Sequence, residues 1–288
     1  MLMRNVVDKS LKLHQGIWDK LAANSFEIRG KKLGIIGYGN IGSQLSILAE
    51  SLGMEVYYYD IVEKLALGNA KKCNSMQELL KKVDVVTLHI DGRTSNKNLI
   101  GEKEFRMMKD KVIFLNLSRG FVVDIKSLAK YVKNGKILGA AIDVFPNEPK
   151  SNSEGFVSEI RGLPNVILTP HIGGSTEEAQ QNIGNFVANK LVDFVNSGST
   201  FSSVNFPNLQ LPALQNAHRL IHIHDNVPGV LSNINGVLSR NNINIVGQYL
   251  KTNEQIGYVI TDVGSKYDKE VINELKRVPN TIKFRVLY

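Results

Sequence analysis

Between Lys32 and Pro170 the chain alternates two hydrophobic patterns. Short, nearly continuous apolar runs rich in Val, Ile and Tyr recur as LGIIG, EVYYYD, VDVVTLHI, KVIFLNLS, LGAAIDVF and NVILTPH. Between them lie stretches with a helical period: IGSQLSILAESLG, SMQELLKK, GEKEFRMMK and DIKSLAKYVKNG. Strands that alternate with helices read as βαβ units and a parallel sheet. Strands without polar alternation fit a sheet covered by helices on both faces. The expectation is an α/β fold with a doubly wound parallel sheet. The first 25 residues hold one helical pattern and no strand.

The pattern changes after His171. A long helical stretch, STEEAQQNIGNFVANKLVDFVNSG, leads into SGSTFSSVNFPNLQLPALQNA, which is polar, holds two prolines and reads as a linker. The remainder runs strand RLIHIH, helix PGVLSNINGVLSRNN, strand INIVGQYLKT, strand IGYVITDV, helix KEVINELKR and strand TIKFRVLY. That order is the ferredoxin-like βαββαβ unit.

Composition narrows the classes. At 288 residues the chain has room for two domains and a smaller third. A single cysteine, Cys73, excludes a disulfide framework and a cysteine-based metal site, and the pattern calls for no metal. No apolar run reaches the roughly 18 residues of a membrane span, and the first residues lack the apolar core of a signal peptide. A cytoplasmic protein is expected. The net charge of +8 is spread over short pairs such as Lys31-Lys32, Lys71-Lys72 and Lys81-Lys82. Without a basic stripe these read as solvated surface rather than a nucleic-acid footprint.

The strongest local chemistry is Gly37-Tyr38-Gly39-Asn40-Ile41-Gly42, which follows one strand and opens a helix. Gly37 permits the tight turn, Gly39 lets backbone approach a pyrophosphate, and Gly42 packs helix on strand. The helix N-terminus then offers N–H groups to phosphate. The next strand ends in Asp60, placed to accept from a ribose 2′-hydroxyl and repel a 2′-phosphate. Together these predict a Rossmann-type domain binding NAD rather than NADP. Three further groups fall at carboxyl ends of strands, where open α/β sheets bind ligands. They are Asn116-Leu117-Ser118-Arg119-Gly120, Asp143 with Glu148, and His171-Ile172-Gly173-Gly174. A histidine that exchanges a proton near neutral pH, a carboxylate to orient it and an arginine to hold a carboxylate make a plausible hydride-transfer set. Taken singly, each reads more readily as structural: a surface arginine, a turn glutamate, a strand-end histidine in a structural hydrogen bond.

On FEIRGKKLGIIGYGNIGSQL, NLSRGFVVD, LGAAIDVFPNEP, LTPHIGGSTEEAQ and HIHDNVPGVL the chain resembles the D-isomer-specific 2-hydroxyacid dehydrogenases, in the branch acting on 3-phosphoglycerate. The resemblance runs nearly end to end. It implies NAD-linked oxidation of 3-phosphoglycerate to 3-phosphohydroxypyruvate, which opens L-serine biosynthesis. It implies catalysis by Arg119, Glu148 and His171, with His171 as acid/base and Glu148 as its partner. Cofactor contacts are implied at Gly37, Gly39, Asn40, Ile41, Gly42, Asp60, Leu117, Ser118, Arg119, Asp143, His171, Ile172, Gly173 and Gly174. Asn40 stands where relatives often carry histidine, and backbone carries that contact. The C-terminal part resembles the ACT-type amino-acid-sensing module. In serine-sensitive relatives the effector lies between two such modules, and the matching residues are His224, Asn226 and Asn244. A metal pair at His222 and His224 is the rival reading. The segment around Trp18 touches a neighbouring subunit in relatives, which implies a homo-oligomer, a tetramer in this family.

The implied layout is an NAD-binding domain over 1–173, with 1–25 as an interdomain helix region. A remnant of the substrate domain and a linker follow over 174–216, then a regulatory ACT domain over 217–288. The family carries another hundred or so residues ahead of this point, so the chain reads as truncated, with exposed apolar faces on the helices at 1–24 and after Gly174. Three alternatives remain open. The chain binds NAD and serine but needs a separate N-terminal half for catalysis; it reduces another 2-oxo acid such as 2-oxoglutarate; or its basic charge serves nucleic-acid binding or co-repression.

Overall fold

The structure is a computed structural model that describes residues 1–212, 217–264 and 267–287. It contains two compact units, Met1–Thr176 and Glu177–Tyr288.

The first unit runs α1 (Val6–His14), β1 (Lys32–Ile36), α2 (Asn40–Ser51), β2 (Glu55–Tyr59), β3 (Lys71–Lys72), α3 (Met76–Lys82), β4 (Val85–Leu88), α4 (Glu102–Met107), β5 (Val112–Asn116), α5 (Ile125–Lys133), β6 (Ile137–Ile142) and β7 (Val166–Leu168). The seven strands form one sheet in the order β3-β2-β1-β4-β5-β6-β7, parallel at every pairing. This is the doubly wound Rossmann arrangement. The predicted apolar runs all became strands. The two-residue β3 escaped the pattern because Lys71 and Lys72 are exposed and carry no apolar signal.

Adjacent residues of a strand point to opposite faces, and each face has its own core. Ile36, Val86, Phe114 and Ile142 pack with Leu79 and Leu80 of α3, Phe105 of α4 and Leu128 of α5. Ile35, Val56, Val85 and Ile113 pack on the other face with Ala49 of α2 and with Leu2. Helix α3 starts where the Ser75 hydroxyl accepts from Glu78 N–H, and α5 where Asp124 accepts from Lys126 N–H. Helix α1 buries none of its residues. Leu11 and Leu13 are exposed, as expected for a helix in this region, which ends at His14 rather than residue 24; Trp18, beyond its end, is exposed rather than packed as an anchor.

The second unit runs α6 (Glu177–Ser197), β8 (His218–Asp225), α7 (Val230–Arg240), β9 (Ile245–Thr252), β10 (Ile256–Val263), α8 (Lys269–Lys276) and β11 (Thr281–Leu287). Its four-stranded sheet has the order β11-β8-β10-β9 with every pair antiparallel. That is the ferredoxin-like βαββαβ layout. One face carries α7 and α8 through Leu220, Val259, Val263, Ile234, Leu238 and Leu275. The opposite face, Ile221, Tyr258 and Ile260, receives Phe194 of α6 and Phe206, Leu209 and Leu211 of the following segment. The polar stretch after α6 is therefore packed. Its Thr200 hydroxyl donates to Pro207 O at 2.7 Å and accepts from Leu209 N–H at 2.9 Å. The residues 213–216, which complete the predicted linker, lie outside the described part.

Three side chains of this sheet meet the carbonyl end of α6. Arg219 is fully buried and forks onto Asp262 through Nε and Nη2, each at 2.7 Å. Its Nη1 donates to Ser197 O at 2.8 Å and Pro212 O at 3.3 Å. Tyr258 Oη donates to Gly198 O at 2.7 Å, and burial pushes its hydroxyl up to about 12. Arg285 donates to Phe194 O and Val195 O. The last carbonyls of a helix have no partners within it, and cations there also meet the negative end of its dipole.

Candidate functional site

The sheet order reverses direction around β1, so the connections after β1 and β4 diverge and leave a crevice between their carboxyl ends. Gly37 occupies the left-handed region with φ 93°, and a Cβ there would lie 2.4 Å from His89 O. A Cβ on Gly42 would lie 2.2 Å from Gly37 O, so only glycine lets the helix start this close to the turn. Gly39 is the N-cap of α2, no side chain caps that helix, and a Cβ there would meet nothing within 4 Å. The turn is closed by protein on the Gly37 and Gly42 sides and open at Gly39. Asn40 and Ile41 begin α2 exposed to solvent. Open backbone amides at a helix N-terminus fit a pyrophosphate. Asp60 accepts from Tyr38 N–H at 2.7 Å and from Val62 N–H at 2.9 Å, which ties the end of β2 to the turn. A cleft of about 450 Å³ runs from Gly37 and Gly39 past Asp60 to Asp91 and Arg93. These residues suit the adenosine and pyrophosphate of NAD, with Asp60 at the ribose.

The carboxyl end of β5 presents Arg119. Asn116 is fully buried, and its Oδ1 accepts from Ser118 N–H at 3.1 Å and Ser118 Oγ at 2.9 Å, while its Nδ2 donates to Arg119 O at 3.1 Å. A Cβ on Gly120 would lie 1.9 Å from the Phe145 backbone, so the chain turns sharply after Arg119. The Arg119 guanidinium donates to Ser118 O at 2.7 Å. Leu117 is 49% exposed.

The neighbouring strand ends build the histidine. Asp143 is buried and accepts from Thr169 Oγ1 at 2.6 Å, Ile172 N–H at 2.9 Å and Gly173 N–H at 3.0 Å. It fixes the turn that carries His171, which itself sits at φ 54°. His171 Nδ1 lies 2.9 Å from Glu148 Oε2, and Glu148 Oε1 accepts from Phe145 N–H at 2.9 Å. Burial pushes the Glu148 carboxyl up, but the bonds from His171 and Phe145 outweigh it and hold the group below its usual range. Beside the pair is a cleft of about 570 Å³ lined by Glu148, Lys150, Phe156, Arg161 and His171. Glu148 and His171 thus meet directly, Asp143 braces Ile172 and Gly173, and Arg119 comes from the adjacent strand.

In the second unit His224 is buried on β8 above Gly257, where a Cβ would collide with the imidazole at 2.2 Å. Its Nδ1 lies 2.6 Å from Asp225 O, which only accepts, so Nδ1 donates, and in the neutral ring the lone pair falls on Nε2. That Nε2 is buried without a hydrogen-bond partner. Asn226 Nδ2 donates to Asn253 O at 2.7 Å. Asn244 is exposed just before β9. His224 pairs with Gly257, which pairs with Thr252, whereas Asn244 lies beyond Ile245 at the other end of β9. At about 3.3 Å per residue the two sites are roughly 25 Å apart within one chain. One copy does not bring the three predicted effector residues together. His222, two residues before His224, donates from Nε2 to Thr281 Oγ1 at 2.7 Å, because the Thr281 hydroxyl itself donates to Val278 O. Burial, and then the neighbouring His224, lowers His222 to about 4. Among the described residues no three His, Cys, Asp or Glu side chains form a metal-binding group.

The sequence placed Asn116 in the strand-end group that carries Arg119, without a role of its own, and did not point to Asp91 or Arg93. Both follow the carboxyl end of β4, and the rule that picked out Arg119 and His171 would have reached them.

The first unit is a dinucleotide-binding domain of the dehydrogenase type. Residues 1–173 match the family described as D-isomer specific 2-hydroxyacid dehydrogenase, NAD binding domain, and residues 220–283 match an ACT domain like that of the AHAS small subunit. The chain belongs to the D-isomer-specific 2-hydroxyacid dehydrogenases, a family of NAD-dependent oxidoreductases. It is 54% identical to D-3-phosphoglycerate dehydrogenase of Haemophilus influenzae, over all of this chain and 70% of that protein. It is 50% identical to D-3-phosphoglycerate dehydrogenase of Dictyostelium discoideum, again over all of this chain and 70% of that protein. The solved D-isomer specific 2-hydroxyacid dehydrogenase of Lactobacillus delbrueckii ssp. bulgaricus, in its NAD-complexed form, superposes with a TM-score of 0.63 at 26% identity. That likeness covers 71% of this chain and 66% of that one. Among the described residues no helix is long and apolar enough to cross a membrane.

Proposed function

We propose that this chain carries the NAD-linked oxidation of D-3-phosphoglycerate to 3-phosphohydroxypyruvate, the opening step of L-serine biosynthesis, and that L-serine restrains it. The observation that carries this reading is the His171–Glu148 contact, 2.9 Å long, in a chain 54% identical to a D-3-phosphoglycerate dehydrogenase. NAD, when bound, supplies the hydride acceptor. Glu148 accepts from His171 Nδ1–H, so the neutral ring keeps its lone pair on Nε2. His171 Nε2 takes the substrate hydroxyl proton as the hydroxyl-bearing carbon gives up its hydride and becomes a carbonyl. The Glu148 carboxylate stabilises the imidazolium that results. Arg119 holds the substrate carboxylate and the developing carbonyl oxygen. Asp143 and Asn116 position the two turns that present these groups.

The effector reading places serine at His224 and Asn226 of one copy with Asn244 of another, since one chain holds them far apart. Its ammonium or hydroxyl would donate to the free lone pair of His224 Nε2. That arrangement calls for a homo-oligomer, a tetramer in keeping with the resemblance. A cytoplasmic location is in keeping with one buried, unpaired cysteine, Cys73.

The test is NADH oxidation by the purified chain with 3-phosphohydroxypyruvate, with and without L-serine and with 2-oxoglutarate as a rival substrate. Turnover on 3-phosphohydroxypyruvate that serine suppresses supports the reading. Preference for 2-oxoglutarate would replace the substrate. A second reading has its own observation, that the chain spans 70% of the length of these relatives. In it, this chain binds NAD and serine while turnover requires residues matching the rest of their length. NADH binding without turnover, and turnover on adding that part, would favour it.

A further inference from the structure

The wall of the nucleotide cleft opposite the glycine turn is made by the connection that leaves β4. It runs His89-Ile90-Asp91-Gly92-Arg93, and its His89 carbonyl lies against Gly37. Asp91 and Arg93 line the same cleft as Gly39 and Asp60. Arg93 is turned onto Asp91 in a two-pronged contact, Nε to Oδ1 at 2.8 Å and Nη2 to Oδ2 at 2.5 Å. Asp91 is itself fixed by other donors. Arg93 N–H reaches Oδ1 at 3.2 Å and Asn96 Nδ2 reaches the same oxygen at 3.0 Å. Both side chains are about half exposed, at 52% for Arg93 and 55% for Asp91. The Arg93 guanidinium is held in its charged form first by these bonds and further by the charge of Asp60, so Arg93 lies within the field of the ribose carboxylate.

An arginine beside the ribose is the group that accommodates a 2′-phosphate, and a planar fork is well matched to it. Here the fork is already filled by a carboxylate. We propose that Asp91 is a specificity-determining residue for the nucleotide: by occupying the Arg93 fork it keeps that arginine from a 2′-phosphate, and so acts with Asp60 to restrict the cleft to a cofactor with a free 2′-hydroxyl. This rests on the reading of the cleft as the NAD site. Asp60 excludes by repulsion, and Asp91 excludes by withholding Arg93; Arg119, whose side chain lies against Gly92 of the same connection, is left in place by the variants below. Lys64 also lines the cleft, and the variants below leave it in place.

The test compares binding of 5′-AMP with that of adenosine 2′,5′-bisphosphate by calorimetry, since the two differ by one phosphate and binding needs no turnover. NADH binding is measured in parallel. The wild-type chain should prefer 5′-AMP. Asp91→Ala should shift the ratio toward the bisphosphate by roughly fivefold, the size of one exposed charged contact. Arg93→Ala alone should leave the ratio as in wild type, and the double variant should lose the gain. An unchanged ratio in Asp91→Ala, a gain that survives in the double variant, or a shift in Arg93→Ala alone would each overturn the proposal. Failure of the wild-type chain to bind NADH or 5′-AMP would instead overturn the reading of the cleft, and the inference with it. Both positions are at the surface, so these variants are expected to keep the fold.

Discussion

Both units bury polar side chains, but only the first sets exposed groups above them, at strand ends held from beneath by Asn116 and Asp143. In the first, the candidate chemistry sits at strand ends in contact with solvent: Gly39 faces open space, and the His171 side chain is 52% exposed. In the second, polar side chains lie inside the sheet itself, with Arg219, His222 and His224 buried along one strand. A group at a strand end is set by the turn that carries it and can be changed with little effect on the core. A charge inside a sheet must be matched where it stands, because the penalty for leaving it unpaired falls on the fold. The first unit should therefore lose chemistry when its site residues change, and the second should lose structure.

The largest effect is expected at His171. His171→Asn should lower turnover by about 10²- to 10⁴-fold, the range for removing a general acid–base, with NADH affinity and melting temperature close to wild type. A fall in melting temperature of similar weight to the loss of rate would break the contrast. The converse is Asp262→Leu, which strands the buried Arg219 guanidinium. It should cost about 3–5 kcal/mol, read as a lowered unfolding transition of the second unit, while NADH still binds the first.

A smaller effect follows from His222. Its folded value of about 4 lies below the ordinary value of 6.5, so the unfolded chain binds the proton more readily. Stability is then complete above about pH 6.5 and is lost as pH falls from there toward 4, by roughly 3 kcal/mol at most. His222→Gln should flatten that part of the pH profile of unfolding, and an unchanged slope would assign the acid sensitivity elsewhere. The smallest effect sharpens the baseline of the first unit. Ser75→Ala removes the hydroxyl that caps α3 and should cost about 1 kcal/mol without altering the nucleotide cleft.

The same contrast explains what the sequence made legible. The parallel sheet was readable because its strands are short apolar runs buried on both faces, and the glycine turn because three glycines each answer a separate geometric demand. The Glu148–His171 contact joins residues 23 positions apart, yet both fall at ends of neighbouring strands, where ligands were expected. Asp143 was expected at the cofactor, and the structure shows its oxygens engaged in holding the His171 turn. Spacing alone did not reveal that this carboxylate also holds the loop beside it. The buried Arg219–Asp262 pair was not legible, because a charged residue in an alternating strand reads as solvent-facing until the cover from α6 is known. Asp91 and Arg93 were passed over because an aspartate and an arginine two residues apart in a polar connection read as an ordinary solvated turn. Their pairing becomes visible only when the crevice brings them opposite Gly37 and Asp60.

The central claim, that the first unit moves a hydride between a nicotinamide and a 2-hydroxy acid, has a direct test that does not depend on a high rate. The purified chain is incubated with NADH fully deuterated at the nicotinamide C4 and with 3-phosphohydroxypyruvate, and the product is examined by mass spectrometry. The expected product is 3-phosphoglycerate carrying one deuterium on its hydroxyl-bearing carbon, with label absent in His171→Asn over the same interval. Unlabelled product, or none from a chain shown to bind NADH, would contradict the claim.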